Sequence, residues 1–159
     1  MSGVEPVVPT STYDDVPYGV ATHAATHPGR LAAIATLFGA GPPAVESARV
    51  LELGCALGGN IIPMAVAYPG SSYLGIDLSG RQIADGQRTV AQLGLTNIEL
   101  RHASITDVDD SDGQFDYVIC HGVYSWVPPE VQDKILDICA RNLAAGGVAV
   151  VSYNTYPGW

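Results

Sequence analysis

The sequence predicts an α/β fold in which a parallel sheet carries helices on both faces. From Arg49 onward, short apolar segments alternate with amphipathic ones, the pattern of strands and surface helices. The first three apolar segments begin about 24 residues apart, which is the repeat of βαβ units. The 159 residues suffice for one domain with a sizeable core, and the hydrophobic share of 47% is ordinary for a globular protein.

The elements follow in chain order. Residues 1–17 contain several Pro and Gly residues and no hydrophobic period, so we expect a loose arm. A helix over residues 28–38, capped by Thr26, comes next. The predicted strands are 49–53, 73–77, 97–101, 115–120 and 148–153, the last preceded by Gly146 and Gly147. The other predicted helices are 58–67, 79–93 and 129–143. We divide the chain into an N-terminal arm and helix, residues 1–45, and a core, residues 46–159.

Charge and cysteine content exclude several classes of partner. The chain has 7 Lys and Arg residues against 16 Asp and Glu residues, a net charge of −9, and its single Lys is Lys134. Nucleic-acid binders neutralise phosphates with clustered basic residues, so we expect no nucleic-acid partner and no binding to anionic membranes. No apolar segment reaches the ~20 residues of a membrane span. Cys55, Cys120 and Cys139 lack ligand spacing, which indicates reduced thiols in a cytoplasmic protein and no metal site.

Two turns at the carboxyl ends of predicted strands carry the most specific signal. In an open parallel sheet, ligands bind outside these ends, near the point where the strand order reverses. The first turn contains Gly54, Ala56 and Gly58, and glycines let the backbone approach a ligand closely. The second strand ends in Asp77, an acid placed to accept hydrogen bonds from two ribose hydroxyls. Together the turns predict a Rossmann-like site for an adenosine-containing ligand.

Two residues of the first turn favour a ligand without phosphates. Ala56 stands where a dinucleotide site has the glycine that lets the backbone reach a pyrophosphate, and its methyl group would crowd one. Glu52 adds negative charge near the place of the phosphates. S-adenosylmethionine has no phosphate and carries a cationic sulfonium and a cationic ammonium, so the turn suits this methyl donor better. An NAD-dependent oxidoreductase on the same sheet is the less favoured alternative, and Glu52 could also simply end a strand.

Several motifs resemble those of class I methyltransferases. The pattern Glu52-x-Gly54-x-Ala56-x-Gly58 is similar to their first motif, with Ala at the second glycine, and IDLS at 76–79 is similar to their second. The stretches VLELGCALGGNIIPMA, FDYVICHGVYSWVP and VAVVSYNTYPGW resemble bacterial methyltransferases that carry a methyltransferase regulatory domain. Some members of that wider group are protein-lysine methyltransferases, and the acceptor does not follow from the fold.

The resemblance implies a Rossmann-like sheet of strand order 3-2-1-4-5, with S-adenosylmethionine as cofactor and S-adenosylhomocysteine as product. Asp77 would bind the ribose hydroxyls, and Leu78 would pack on the adenine face. Many class I enzymes have an acid near Ala103 that meets the adenine edge. This chain lacks it, so Ser104 or a backbone group would serve there.

The resemblance also implies which residues would contact the methionine part of the donor. The turn residues that would line its methionine part are Gly54, Ala56 and Gly58. Glu52 would reach the donor's amino group, and the His121-Gly122 step would offer a carbonyl to the same ammonium. Tyr18 would fold over the donor as part of an N-terminal lid.

Candidate residues on the acceptor side follow strands four and five. Tyr124 and Trp126 follow the fourth strand and further aromatic residues follow the fifth, and aromatic faces attract cations such as an incoming amine. Methyl transfer depends mainly on positioning and desolvation and needs no metal. His121 and Tyr124 are the candidates for a general base, and Asn154 is placed to orient an acceptor.

Class I methyltransferases usually have two further strands, which this sequence lacks after its fifth predicted strand. We therefore expect a C-terminally incomplete core that binds donor better than it turns over, with an open sheet edge that favours homo-oligomers. A non-catalytic S-adenosylmethionine-binding module or fragment is the main alternative to a methyltransferase. The expected acceptor is a protein lysine or another amine.

Overall fold

The computed structural model describes residues 21–155 and contains one five-stranded parallel sheet of order β3-β2-β1-β4-β5. The strands are β1 Arg49–Leu53, β2 Ser72–Asp77, β3 Ile98–His102, β4 Phe115–Cys120 and β5 Leu143–Val151. The helices are α1 Pro28–Leu37, α2 Ile61–Ala67, α3 Gly80–Gln92 and α4 Pro129–Arg141. The predicted fold class and strand order are confirmed.

The strand register brings three carboxyl ends together. Leu53 of β1 pairs with Ile76 of β2 on one side and with Cys120 of β4 on the other. The chain runs outward from β1 to β2 and β3 and then returns to place β4 on the opposite side of β1. The ends of β1 and β4 therefore mark the point where the strand order reverses, the place where open α/β sheets bind ligands.

The core has two halves, one on each face of the sheet. On one face, Val50 and Tyr117 of the sheet pack with Leu31, Ile61 and residues of α3. On the other face, alternate strand residues such as Leu51 pack with Ile135 and other residues of α4. The alternation follows from the two-residue period of a strand, and burying both faces explains why the strands are nearly continuous apolar runs.

The cap of α1 differs from the prediction. Thr26 was expected to cap this helix, but it ends the preceding 3₁₀ turn Ala24–Thr26 and is buried. His27 caps α1 instead, with its Nδ1 accepting from the Gly29 N–H at 3.1 Å. The prediction was wrong because the Thr26 side chain is engaged elsewhere, with the His23 carbonyl and Asn60.

Two element starts also differ by three or more residues, and α4 and β5 each end two residues earlier than expected, at Arg141 and Val151. The helix predicted from residue 58 begins at Ile61, because Gly58 adopts a φ of 83° and its N–H closes a turn onto the Cys55 carbonyl at 2.8 Å. Gly146 and Gly147 do not precede the last strand but lie within β5. Gly146 adopts a φ of 77° there, and the pairing with β4 shifts register, so the glycines form a bulge in a strand that starts five residues earlier than expected. None of the helices in residues 21–155 is long and apolar enough to cross a membrane.

Candidate functional site

A cavity of about 510 Å³ opens at the carboxyl ends of β1, β2 and β4. This is the position that the strand-order rule predicts for a ligand site. Nine of the residues singled out from the sequence line it: Glu52, Gly54, Ala56, Asp77, Leu78, Ser104, His121, Gly122 and Trp126.

The turn after β1 passes so close to its neighbours that Gly54 has no room for a side chain. Its φ is 75°, and its N–H donates to the Ile76 carbonyl at 2.8 Å. A Cβ at this position would lie 2.4 Å from Cγ2 of Val123. The glycine is therefore required both by its left-handed backbone and by the approach of Val123.

Ala56 shares the left-handed conformation of a glycine although it has a Cβ. Its φ is 52°, the only positive value at a non-glycine position among the described residues. This conformation costs about 1–2 kcal/mol for an L-residue. Its N–H donates to Oδ2 of Asp77 at 2.7 Å, and this bond between the two ligand turns helps to hold Ala56 in place.

Asp77 ends β2 with its carboxylate held by backbone donors on both sides. Oδ2 accepts from Ala56 and Oδ1 accepts from the Ser79 N–H at 2.8 Å. A carboxylate has about four acceptor positions, so these two bonds leave capacity for two further donors. Because Asp77 lines the cavity, this remaining capacity is available to hydroxyl donors of a ligand.

Glu52 is a buried acid with one oxygen unused. Only 4% of its surface is exposed; Oε1 accepts from Nδ2 of Asn60 at 2.6 Å, and Oε2 has no hydrogen-bond partner in residues 21–155. Burial, with a smaller contribution from the charge of Asp77, raises the pKa of Glu52 to about 7 against the opposing hydrogen bond from Asn60. An unpartnered carboxylate oxygen in a low-dielectric cavity is a site for a cation.

The raised pKa of Glu52 predicts a pH-dependent stability. The unfolded chain ionises Glu52 near its ordinary pKa of 4.5, whereas the folded chain does so at about 7. Folding stability is therefore lost as pH rises through this window, by up to roughly 3 kcal/mol. In Glu52→Gln this loss should disappear, as measured by urea unfolding across the window. The exposed Glu46→Gln should keep the wild-type slope, and equal slopes in all three proteins would contradict the raised pKa.

His121 lies at the mouth of the cavity against a second histidine. Its ring centroid is 4.1 Å from that of His23, at an interplanar angle of 47°. Burial and then the neighbouring His23 lower the pKa of His121, so its imidazole is neutral near pH 7 and able to accept a proton.

Ser104 and Leu78 occupy a more exposed part of the cavity wall. The Ser104 hydroxyl contacts Thr106, whose backbone N–H donates to it at 3.2 Å, and so caps the 3₁₀ turn Ile105–Asp107. Leu78 is 44% exposed, which leaves an apolar surface beside Asp77.

Three residues predicted for the site do not line the cavity. Gly58 is directed into the core, since a Cβ there would meet Ile62 and Leu100, and Gly59 lines the cavity in its place. Tyr124 packs on Tyr153 at a ring distance of 6.5 Å. Asn154 is exposed and its N–H donates to Oγ of Ser125 at 2.7 Å. Tyr18, predicted as a lid residue, lies outside the described residues.

His23 and Asn60, which no sequence motif indicated, both line the cavity. Asn60 follows the glycine turn, where a polar residue commonly caps a helix, but its side chain does not cap α2. It contacts Glu52, Thr26 and His23 instead. These contacts link positions up to 37 residues apart, and no local pattern indicates them.

Known proteins share this fold and much of this sequence. A family model described as a methyltransferase domain matches residues 50–147. RP789, an uncharacterized protein of Rickettsia prowazekii (strain Madrid E), is 54% identical over 159 residues, which are 100% of this chain and 29% of RP789. RP028 of the same organism is 48% identical over 148 residues, 93% of this chain and 59% of RP028.

A solved structure agrees closely with the fold. PKMT2 from Rickettsia typhi in complex with AdoHcy matches with a TM-score of 0.87 and 50% sequence identity over 90% of this chain. The match covers 28% of PKMT2, so this chain spans less than two thirds of each of these three relatives.

Proposed function

The chain belongs to the methyltransferase domain family with a class I, S-adenosylmethionine-dependent fold, and from this premise we propose that it transfers a methyl group from S-adenosylmethionine to an amine. The proposal rests on one observation, that two acids with different hydrogen bonding line the same cavity. Asp77 is hydrogen-bonded by backbone on both oxygens, whereas Glu52 is buried with Oε2 unpartnered in residues 21–155.

The residues present fit this donor. Asp77 would hold the ribose hydroxyls, and the exposed face of Leu78 would pack on the adenine. Glu52 would hold the ammonium group, because a cation supplies the partner that its Oε2 lacks. The close turn at Gly54 and Ala56 would lie beneath the methionine part. AdoHcy in PKMT2, a protein 50% identical to this chain, supports the same choice of ligand.

The same residues disfavour a dinucleotide, and hence the NAD-dependent oxidoreductase. The methyl group of Ala56 occupies the place where a pyrophosphate would approach the backbone, and its N–H already donates to Asp77. Glu52 would place a buried acid near the diphosphate. A diphosphate also needs positive charge, and residues 54–60 of this turn contain no Lys or Arg.

Bound S-adenosylmethionine supplies an activated methyl group and its own leaving group. The chain's residues then have to hold the donor, exclude water and take a proton from an amine acceptor. His121 is the candidate for this proton transfer, because it lies at the cavity and its imidazole is neutral near pH 7. Tyr124 and Asn154 lie away from the cavity wall, and they remain predictions for the acceptor side.

The acceptor and partners are proposed from charge. A net charge of −9 suits a cationic acceptor, with a protein lysine among the candidates, and disfavours nucleic acid and anionic membranes. The strand β5 ends the sheet order among the described residues, and pairing through this edge would give a homo-oligomer. Three free cysteines and relatives from bacteria support a bacterial protein of the cytoplasm.

One observation favours a second candidate, a non-catalytic module that binds S-adenosylmethionine. Two of the three predicted catalytic residues, Tyr124 and Asn154, do not line the cavity. A methyl-transfer assay with isotope-labelled donor and a panel of lysine peptides, small amines and hydroxyl compounds separates the two. We expect transfer to amines and, in His121→Ala, a kcat that falls by a larger factor than donor affinity does. Donor binding without transfer to any acceptor would support the module instead.

A further inference from the structure

A closed ring of hydrogen bonds joins the N-terminal part of the described chain to the cavity. Nδ2 of Asn60 donates to Oγ1 of Thr26 at 3.1 Å, and Thr26 Oγ1 donates to the His23 carbonyl at 2.9 Å. The His23 N–H returns to Oδ1 of Asn60 at 2.9 Å. Residues 23–26, here called the N-terminal segment, are therefore fastened to the end of the glycine turn by a single amide side chain.

The same amide also contacts the acid of the cavity. Its Nδ2 donates to Oε1 of Glu52 at 2.6 Å, so both of its hydrogens and its oxygen are used. Rotating the amide by half a turn would place its oxygen against the Glu52 carboxyl and against the Thr26 hydroxyl. Asn60 is 7% exposed and Thr26 1%, so water does not replace these bonds easily.

A second contact fastens the N-terminal segment to the opposite side of the site. The His23 ring lies 4.1 Å from the His121 ring, which follows β4. His23 and Asn60 both line the cavity. The N-terminal segment thus bridges β1 and β4, the two strands whose ends flank the proposed donor site.

We propose that Asn60 is a positioning residue that couples docking of the N-terminal segment to donor binding at Glu52. The inference rests on the proposed function, because it takes Glu52 as the group that holds the donor's ammonium. An ammonium beside Oε2 stabilises the ionised carboxylate, and an ionised acceptor strengthens the bond from Asn60. A firmer Asn60 amide in turn holds Thr26 and His23 more tightly, and linkage makes the effect reciprocal.

The coupling also sets the pH at which the cavity binds the donor. Because the bond from Asn60 favours the ionised form of Glu52, removing it leaves the acid protonated to a higher pH. The titratable groups around Glu52 are Asp77 on β2, Cys55 in the glycine turn, Cys120 at the end of β4, and the pair His23 and His121. Asn60→Ala changes none of these side chains, and among them only His23, whose backbone N–H donates to Asn60, loses a hydrogen bond.

The first test measures S-adenosylhomocysteine affinity by calorimetry across the pH range around neutrality. In the wild type, affinity should rise with pH through about 7 as Glu52 ionises. In Asn60→Ala the midpoint should move to higher pH, and the dissociation constant at pH 7 should rise roughly tenfold. A wild type that binds with this titration while Asn60→Ala keeps the same midpoint overturns the coupling alone. A wild type without any binding overturns the proposed function and the coupling together.

A second variant, Thr26→Val, tests the coupling if Asn60→Ala does not fold. Thr26→Val removes one anchor of the N-terminal segment and keeps the bond between Asn60 and Glu52. Hydrogen exchange at the His23 amide should slow when ligand binds the wild type, and this slowing should be smaller in Thr26→Val, which keeps the bond from His23 to Asn60 and loses the two bonds of the Thr26 hydroxyl. Thr36→Val, which removes an exposed hydroxyl bonded to the Ala32 carbonyl of α1, serves as the matched control. An exchange rate at His23 that ligand does not change in the wild type overturns the proposal.

Discussion

Asp77→Ala should raise the dissociation constant for S-adenosylmethionine by roughly a hundredfold or more. The substitution removes an ionised acceptor for two hydroxyl groups, and each hydrogen bond to a charged group contributes about 1.5–3 kcal/mol. It also removes the acceptor that holds the Ala56 and Ser79 backbone donors. The loss should therefore combine a missing contact with a less ordered glycine turn.

The measurement is calorimetric titration of both proteins with the donor, together with a denaturation curve to verify folding. Asp133→Ala is the matched control, since it removes one acid from the exposed face of α4 and does not touch the cavity. The control should bind as the wild type does. A folded Asp77→Ala protein with unchanged affinity would remove the main support for an adenosine site at β2.

Gly54→Ala should destabilise the fold by about 2–4 kcal/mol. Part of the loss, about 1–2 kcal/mol, is the left-handed backbone at a φ of 75°. The remainder arises because the new Cβ would lie 2.4 Å from Cγ2 of Val123 and force a rearrangement in a packed region. Since Gly54 lines the cavity, donor affinity should fall as well.

A double substitution separates the two contributions. Val123→Ala removes the clashing methyl groups, so the combined Gly54→Ala and Val123→Ala protein should recover the steric part and keep the backbone part. The free energy of unfolding from urea denaturation is the readout. Gly41→Ala, whose Cβ meets no atom within 4 Å, should change stability little. Additive effects of the two substitutions would show that the close approach of Val123 does not matter.

The sheet and the residues at its strand ends were predictable because both depend on short-range patterns. The short apolar segments and the spacing of βαβ units located β1 to β4 to within a residue or two, and Asp77 follows from its place at a strand end. The bulge at Gly146 was not predicted, because a glycine pair before an apolar run indicates a turn as readily as a bulge within a strand.

The residues that line the cavity were less predictable where long-range contacts determine their positions. Gly58 and Gly59 are adjacent glycines, and only the position of Ile62 and Leu100 determines that Gly58 faces the core. Asn60 and His23 meet across 37 positions, and their role depends on how the chain before α1 returns to the sheet. Such contacts carry no periodic signature in a single sequence.

Glu52 illustrates why the site departs from what stability alone would select. A buried acid with an unpartnered oxygen and a raised pKa weakens the fold above neutral pH. The strained backbone of Ala56 has a similar cost. Both features lie at the cavity, which is where a protein retains unfavourable local structure for the sake of binding.

Calorimetric titration of the chain with S-adenosylmethionine, S-adenosylhomocysteine and NAD tests the central claim most directly. The cavity combines Asp77 with Glu52, whose Oε2 has no hydrogen-bond partner in residues 21–155. We therefore expect both sulfur ligands to bind with dissociation constants on the order of micromolar and NAD not to bind. Binding of NAD, or no binding of either sulfur ligand by the folded chain, would contradict the assignment of this cavity to the methyl donor.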